Sequence, residues 1–303
     1  MTGPRRIPCR PPNLRYDGLL MKQALLALAA VATLSGATCE SLRTLALPHT
    51  TITLAEAREP GSFTPPLANA KPIDRLPAFC RVTGSIAPTS DSDIRFEVWL
   101  PANWNGKFQG VGNGGFAGII SYAGLADSVR NGYATASTDT GHQETHSSPN
   151  AEWALHHPEK VADFGYRAIH ETAINAKSII QSFYGDAPKR SYFDSCSNGG
   201  RQALMEAQRF PADYDGIIAG APANYWSHLL AGAASGMRAT LAEPQSYISS
   251  AKLPAIEAAA LAQCDAADGV KDGVIENPLA CHFDTSSSNA KERRPTPASR
   301  SRS

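Results

Sequence analysis

The sequence lacks a net charge and a membrane-length apolar run, and only two of its eight histidines lie in its last hundred residues. Its 28 Lys and Arg residues balance 28 Asp and Glu residues, so there is no electrostatic case for binding nucleic acid or acidic surfaces. The N-terminal apolar segment, residues 24–34, is too short to span a bilayer. The only histidines C-terminal to Ser197, a candidate nucleophile, are His228 and His282. The 303 residues suffice for one large α/β domain with an insertion, or for two domains.

The N-terminal region has the features of a secretion signal. Residues 21–23 (Met-Lys-Gln) form a basic start, residues 24–34 an apolar core, and residues 35–37 (Ser-Gly-Ala) a cleavage site of small residues. Residues 1–20 are either an upstream extension or a genuine longer n-region. The six cysteines fit an oxidising compartment. We therefore expect a secreted or periplasmic protein, with residues 1–37 as upstream extension and signal peptide.

A serine within the segment SYFDSCSNGGRQ, residues 191–202, has the surroundings of a catalytic nucleophile. A short β-like run precedes Ser197 and a helix-forming run follows it, which is the outline of a nucleophile elbow. In this turn the hydroxyl projects from the top of a sheet, and the N–H groups of the helix start face whatever the serine attacks. An isolated Ser-x-Gly is usually an ordinary loop, so the flanking elements are what favour a serine acyl-transfer enzyme.

Strands and helices alternate along the first 224 residues, which predicts a mostly parallel sheet with helices on both faces. We expect Asp163 to cap the longest helix and Gly185 to end it. The predicted strands are residues 79–87, 94–100, 108–111, 133–137, 192–193 and 216–221, and the predicted helices are residues 125–130, 163–184 and 202–209. A ligand of such a sheet binds beyond the carboxyl ends of its strands. The glycine loop at residues 112–116 and Ser197 both follow strand ends.

The Cys-Ser-x-Gly-Gly motif at residues 196–200 resembles the tannase and feruloyl esterase family of secreted α/β-hydrolases. The resemblance runs from about Cys39 to Asp284. It implies an α/β-hydrolase fold, a mostly parallel sheet with flanking helices, with the start of an inserted lid domain. The implied division is an incomplete hydrolase core over residues 38–224 and a partial lid domain with a calcium loop over residues 225–284. Residues 285–303 have no apolar periodicity and indicate a disordered tail.

The glycine loop supplies a candidate oxyanion hole. Glycines let the backbone of Asn113-Gly114-Gly115-Phe116 approach a developing oxyanion within hydrogen-bond distance. An N–H from Gly114 or Gly115, together with the N–H of Asn198, is expected to stabilise that charge. Which of the two glycines donates stays open, and the alternative is a plain glycine-rich turn.

A second constellation, CDAADGVKDGVI at residues 264–275, places three carboxylates among glycine turns. Such spacing can wrap oxygen ligands around a hard cation, although it is not the EF-hand spacing. Solvated Asp-Gly turns are the alternative. The family resemblance implies a structural calcium site with these ligands: the side chains of Asp265, Asp268 and Asp272 and the carbonyls of Val270 and Val274.

The cysteines are assigned by the resemblance, because four mature cysteines can pair in three ways. It implies a Cys264–Cys281 disulfide that braces the calcium loop and a Cys39–Cys80 disulfide that ties down the N-terminal segment. In the family the cysteine before the nucleophile pairs with one beside the catalytic histidine. That partner is missing from this sequence, so we expect Cys196 to be a free, buried thiol.

The acid and the histidine of an α/β-hydrolase follow the serine in the chain, and neither His228 nor His282 matches the family's catalytic histidine. His142 lies upstream and is expected to be structural or near the cleft. The elbow predicts a carboxylic ester hydrolase that forms an acyl-enzyme on Ser197, and the family resemblance implies small aromatic esters, such as plant polyphenol or cell-wall esters, as substrates. We expect this chain itself to be C-terminally truncated and inactive. The rival interpretation is a calcium-braced secreted binding protein that keeps only the cleft.

Overall fold

The computed structural model describes residues 37–144 and 150–288. The predicted signal peptide and most of the predicted tail lie outside these residues. Two compact units divide the chain, the first ending at Asn224 and the second beginning at Tyr225.

The first unit is organised by one seven-stranded sheet and a two-stranded ribbon. The strands are, in chain order, β1 (Thr50–Arg58), β2 (Gly61–Phe63), β3 (Ile73–Leu76), β4 (Phe79–Ile86), β5 (Ile94–Pro101), β6 (Lys107–Val111), β7 (Ala134–Thr138), β8 (Arg190–Cys196) and β9 (Gly216–Gly220). In the large sheet the order is β1-β4-β5-β7-β6-β8-β9, while β2 pairs with β3.

The large sheet is half antiparallel, so the prediction of a mostly parallel sheet was wrong in this detail. The pairs β1–β4, β4–β5 and β5–β7 are antiparallel, whereas β7–β6, β6–β8 and β8–β9 are parallel. The connection between β4 and β5, residues 87–93, is too short for the crossover of about a dozen residues that parallel neighbours need. The mixed sheet with flanking helices is nevertheless the α/β-hydrolase-like arrangement that the sequence predicted.

Strands β1 to β3 were not anticipated. The sequence of β1, TTITLAEAR, ends in residues with good helix propensity, and its burial alternates poorly. Pairing with β4 along Thr50–Arg58 decides its conformation instead. Tertiary pairing therefore overrides a weak local preference.

Helices cover both faces of the sheet. They are α1 (Tyr122–Arg130), α2 (Pro158–Ala162), α3 (Ala168–Tyr184) and α4 (Asn198–Arg209). Alternate residues of a strand point to opposite faces, and in β5 Phe96 and Val98 join the core cluster under α3 and α4, while Trp99 joins the cluster that contains α1. Two apolar cores therefore sandwich the sheet.

The entry to the long helix differs from the prediction. Asp163 does not cap it, because residues Asp163–Arg167 form a π-helical turn between α2 and α3. The Asp163 side chain is fully buried and accepts a 2.6 Å hydrogen bond from Arg167 Nε. The end of the helix is as predicted: Gly185 adopts φ +80° and donates its N–H to the carbonyl of Gln181.

The second unit contains α5 (Trp226–Leu241) and α6 (Leu253–Cys264), followed by short 3₁₀ turns. A disulfide joins the end of α6 to Cys281. Within the part of this unit that the structure describes, only Cys264 and Asp265 are buried. No described helix of the whole chain is long and apolar enough to cross a membrane.

Candidate active site

Ser197 lies at the junction between β8 and α4, at the carboxyl edge of the four parallel strands. Its backbone adopts φ +63° and ψ −122°, a conformation that residues with a side chain rarely occupy. Three hydrogen bonds hold it: its N–H donates to the carbonyl of Gly220 (3.0 Å), and its own carbonyl accepts from Ala223 (2.9 Å) and Arg201 (3.1 Å). The side chain is exposed. This strained, exposed serine has the conformation of a nucleophile elbow.

The two glycines after the serine are required by close packing. A Cβ at Gly199 would clash with the Ser195 side chain, and one at Gly200 would lie 2.5 Å from the carbonyl oxygen of Gly220. Real Cβ contacts are essentially never under 3.0 Å. Glycine at both positions therefore allows α4 to start directly over the ends of β8 and β9.

The glycine loop follows the carboxyl end of β6. Gly114 and Gly115 are exposed, a Cβ on either would contact nothing, and Gly115 has φ +58°. The loop closes on itself through a 2.9 Å bond from the N–H of Ala117 to the carbonyl of Gly114. At Gly115 the left-handed backbone, and not crowding, is what favours glycine.

Amide side chains connect this loop to the nucleophile helix. Gln202 and Asn113 exchange two hydrogen bonds: Asn113 N–H to Gln202 Oε1 (3.2 Å), and Gln202 Nε2 to Asn113 Oδ1 (2.8 Å). The side chain of Asn198 donates to the carbonyl of Asn113 (3.2 Å). The two segments that carry the predicted oxyanion donors are therefore joined directly.

Arg201 packs beside the elbow. Its guanidinium donates to Asn198 Oδ1 (2.8 Å) and to the carbonyls of Gly165 (3.0 Å) and Phe164 (3.1 Å), and lies 4.5 Å from the Phe164 ring centroid. Burial lowers the pKa of Arg201 to about 10. The side chain therefore stays cationic at neutral pH and places positive charge one helical turn from Ser197.

His142 is a buried aromatic residue of the same region. Its ring stacks on Trp153 with centroids 3.9 Å apart and meets the edge of Phe164. Burial lowers its pKa to about 4, although the carbonyls of Phe116 and Thr140 oppose the shift. Neither ring nitrogen makes a well-formed hydrogen bond. A neutral imidazole held by stacking fits the prediction of a structural residue.

No hydrogen bond joins the Ser197 hydroxyl to a histidine in residues 37–144 and 150–288. His170 Nδ1 instead pairs with Asp213 Oδ2 at 2.6 Å, and the His228 ring stacks on Tyr225 within the second unit. The carbonyl of His282 accepts from the side chain of Gln263. Among the described residues, the hydroxyl of the candidate nucleophile Ser197 therefore has no histidine as a hydrogen-bond partner.

Both predicted disulfides are confirmed: Cys39–Cys80 and Cys264–Cys281. Cys196 is unpaired, as predicted, but it is exposed, and the prediction of a buried thiol was wrong. On the same face of the sheet, Asp194 and its neighbour in register, Ile218, are also exposed. Burial of Cys196 depends on what covers that face, which strand alternation alone does not reveal.

The predicted calcium ligands lie in a loop of tight turns. Asp265 accepts the N–H of Gly273 (3.0 Å), Asp268 that of Val270 (2.8 Å) and Asp272 that of Val274 (3.0 Å). Their donor chemistry suits a hard cation, and Asp265 is 5% exposed. Among the described residues, however, no three acidic, histidine or cysteine side chains gather into a metal-binding group.

Sequence reasoning missed the polar residues behind the elbow. Gln202 and Asn113 both belong to the motifs quoted above, but neither was assigned a role. The signal in the sequence was Gln202, whose position one helical turn after Asn198 places its amide side chain on the face of α4 that packs on the sheet. Its partner, 89 positions earlier, cannot be read from local pattern.

Three comparisons place these features among known proteins. The sequence profile of the family described as "Tannase and feruloyl esterase" matches residues 80–294. An uncharacterized esterase of Xanthomonas campestris pv. campestris is 46% identical over 275 residues, which cover 89% of this chain and 47% of that protein.

Solved structures give the same result. Feruloyl esterase B from Aspergillus oryzae superposes with a TM-score of 0.73 and 33% identity, covering 81% of this chain and 49% of that one. Tannin acyl hydrolase from Aspergillus niger superposes with a TM-score of 0.57 and 25% identity, covering 78% and 46%. The chain spans about half the length of the relatives it matches.

Proposed function

Because the chain belongs to the tannase and feruloyl esterase family, we propose that it is a carboxylic ester hydrolase of the serine type. The observation that carries the proposal is the elbow itself: Ser197 is exposed at φ +63° between β8 and α4, and the first turn of α4 is hydrogen-bonded to the glycine loop. Two structural neighbours, a feruloyl esterase and a tannin acyl hydrolase, favour small esters of aromatic acids as substrates. Plant polyphenol esters and cell-wall esters are the proposed natural substrates.

In the proposed reaction Ser197 Oγ attacks the ester carbonyl and its proton passes to a general base. The tetrahedral oxyanion accepts hydrogen bonds from the N–H of Asn198 and from that of Gly114 or Gly115. Such a donor is worth about 3 kcal/mol of transition-state stabilisation. Collapse expels the alcohol, which takes up the proton, and leaves an acyl-enzyme. Water then repeats the sequence and releases the aromatic acid.

Rapid turnover needs a histidine beside Ser197, since an unassisted serine hydroxyl is a poor nucleophile. None of the described histidines is hydrogen-bonded to it. We therefore expect the 303-residue chain to hydrolyse esters at a negligible rate. A strongly electrophilic fluorophosphonate should still label Ser197 slowly, because the oxyanion donors alone retain some catalysis.

The experiment is labelling with a fluorophosphonate probe, followed by mass spectrometry of the modified peptide. We expect stoichiometric modification that is lost in Ser197→Ala and retained in the matched control Cys196→Ala, which changes the adjacent exposed side chain. Methyl ferulate hydrolysis is measured on the same samples. Absence of labelling in the wild-type chain would contradict the serine mechanism.

A binding protein that keeps only the cleft is the second candidate, favoured by the lack of a base at Ser197 among the described residues. It predicts measurable affinity for methyl ferulate by calorimetry, no product over hours, and no fluorophosphonate adduct. The two proposals therefore differ in the adduct, which only the esterase forms.

We also propose that the Asp265–Val274 loop binds calcium in a structural role. The side chains of Asp265, Asp268 and Asp272, with the carbonyls of Val270 and Val274, are the proposed ligands. A cation would draw these carboxylates together from the separate turns they make here. EGTA should lower the melting temperature of the wild-type chain, and the change should vanish in Asp268→Asn. Equal melting with and without EGTA would refute the site.

Secretion is proposed from the two disulfides and the N-terminal signal pattern. Expression with the native N-terminus should yield exported protein whose first residue, determined by intact mass, lies close to Ala37. An unprocessed protein retained in the cytosol would contradict this assignment.

A further inference from the structure

Gln202 is an amide side chain with no exposed surface, located on α4 five positions after Ser197. Both of its polar ends are used by one partner: Oε1 accepts the N–H of Asn113 (3.2 Å), and Nε2 donates to Asn113 Oδ1 (2.8 Å). Asn113 is the first residue of the glycine loop after Gly112. A buried, two-point contact thus ties the nucleophile helix to the loop.

Asn113 has a partner for each of its polar groups. Its Nδ2 donates to the carbonyls of Thr138 (2.7 Å) and Ile119 (3.0 Å), and its own carbonyl accepts from Asn198 Nδ2 (3.2 Å). With the two bonds to Gln202, the N–H, the C=O and both ends of the side chain are all engaged. The residue is therefore held from three directions: β7, the far end of the loop, and α4.

Gly112 makes room for this contact. A Cβ at this position would clash with Gln202 Oε1, and would lie 2.9 Å from Ser195 Oγ and 3.0 Å from Gly199 Cα. Any larger residue would push the loop away from α4. The lack of a side chain at Gly112 therefore leaves the space that the Gln202 amide occupies.

We propose that Gln202 and Asn113 are positioning residues that hold the Gly114–Gly115 backbone in register with the Asn198 N–H. This inference rests on the proposed esterase function of the same site. Gly114 and Gly115 are exposed and have no side chains to anchor them; apart from the bond between Ala117 and the Gly114 carbonyl, the anchor next to them is Asn113. Two donors must converge on one oxygen, and a misplacement of about 1 Å can cost about 100-fold in rate.

The experiment compares Gln202→Leu and Gln202→Glu with Glu206→Gln, a matched control that changes another fully buried polar residue of α4. Hydrogen exchange by mass spectrometry follows the peptide of residues 112–118, and fluorophosphonate labelling follows Ser197. We expect Gln202→Leu to speed hydrogen exchange of the loop about tenfold, which corresponds to a loss of about 1.4 kcal/mol of protection when the two hydrogen bonds to Asn113 are removed. The same variant should slow fluorophosphonate labelling of Ser197 by about 10- to 100-fold. Glu206→Gln should change neither.

Gln202→Glu adds a readout that a general loss of stability would not produce. Its ionised carboxylate can accept from the N–H of Asn113 but faces Asn113 Oδ1 without a proton to donate. Protonation at lower pH restores that donor. The ratio of variant to wild-type labelling rate should therefore rise as pH falls.

Loop exchange in Gln202→Leu that matches the wild type would overturn the inference, and so would unchanged labelling despite faster exchange. A pH-independent labelling ratio for Gln202→Glu would also count against it. If the wild-type chain takes up no probe, the proposed esterase function fails, and loop exchange by itself then decides whether Gln202 holds the loop.

Discussion

The two units of this chain use their apolar side chains in opposite ways. The first buries large residues on both faces of its sheet, with Trp99, Phe96 and Phe108 at most 1% exposed. In the second, α5 has no buried residue, and Leu229 and Met237 are 51% and 60% exposed. Fully burying such a side chain is worth about 1.5–3 kcal/mol. We therefore expect packing to stabilise the first unit, and the Cys264–Cys281 disulfide to contribute most of the stability of the second.

The largest expected effect is a core truncation in the first unit compared with one on α5. Trp99 stacks on Phe79 (4.5 Å), meets the edge of Phe63 (5.0 Å) and donates Nε1 to Glu97 (2.9 Å). Trp99→Ala should lower the free energy of unfolding by about 3–5 kcal/mol, because it leaves a large cavity and removes one of the hydrogen bonds to Glu97, which Arg81 still contacts. Leu229→Ala should change it by no more than about 0.5 kcal/mol.

Urea denaturation followed by circular dichroism checks this pair. If Leu229→Ala lowered the free energy of unfolding by more than about 2 kcal/mol, the Leu229 side chain would have to be buried in solution. The second unit would then be stabilised by packing like the first.

The second prediction concerns the disulfides. The Cys264–Cys281 bond joins residues 17 positions apart, and the loss of chain entropy in the unfolded state predicts a stabilisation of about 3 kcal/mol. The Cys39–Cys80 bond joins residues 41 positions apart, which predicts about 4 kcal/mol. Although its disulfide is predicted to contribute less free energy, Cys281→Ser should unfold the second unit, because almost no buried core remains there to offset the loss of the disulfide. Cys80→Ser should leave the first unit folded but less stable.

Limited proteolysis distinguishes these outcomes. Cys281→Ser is expected to be cleaved between residues 242 and 284 while residues 50–220 stay protected. Equal resistance of both variants would show that packing, and not the disulfide, maintains the second unit.

The smallest expected effect is a pH dependence that belongs to the first unit alone. Burial, with the neighbouring Asp213 carboxylate, raises the pKa of Glu206 to about 8, although Lys177 opposes the shift. The folded state therefore holds a proton that the unfolded chain releases near its ordinary pKa of 4.5. Stability should fall as pH rises towards 8, by at most about 1.4 kcal/mol per pH unit.

Glu206→Gln should flatten that slope between pH 6.5 and 8.5. The pKa of His142 lies at about 4, so its opposite contribution is confined to lower pH. Asp139, whose pKa burial raises to about 7, keeps part of the slope in the variant. Denaturation midpoints at four pH values suffice, and an unchanged slope would mean that Glu206 is ionised in the folded protein.

Local sequence was sufficient for the elbow and for most core elements. Ser197 followed by Gly199 and Gly200, between a β-like run and a helix former, already indicated the strand-to-helix turn. Gly185 likewise marked the end of α3. Alternation is the same in parallel and antiparallel strands and did not give strand direction; only the short connection between β4 and β5 indicated an antiparallel pair. The conformation of β1 depends on β4, a partner that its own residues do not specify.

Contacts between distant segments were the other gap. Gln202 was visible only as one polar residue of a helix, and its significance depends on Asn113, 89 positions away. The exposure of Cys196 depends on the neighbouring Ile218 face and could not be deduced from position in the strand. The disulfide pairs came from family resemblance, since four cysteines alone leave three pairings.

The sequence by itself determined where the chain bends, because glycines, a serine between small residues and helix stops act over a few neighbouring positions. Which bends meet depends on tertiary packing: a buried pair of amide side chains, Gln202 and Asn113, joins α4 to the glycine loop. The physical reason is that hydrogen bonds and burial are satisfied in space, between residues whose separation along the chain carries no local signal.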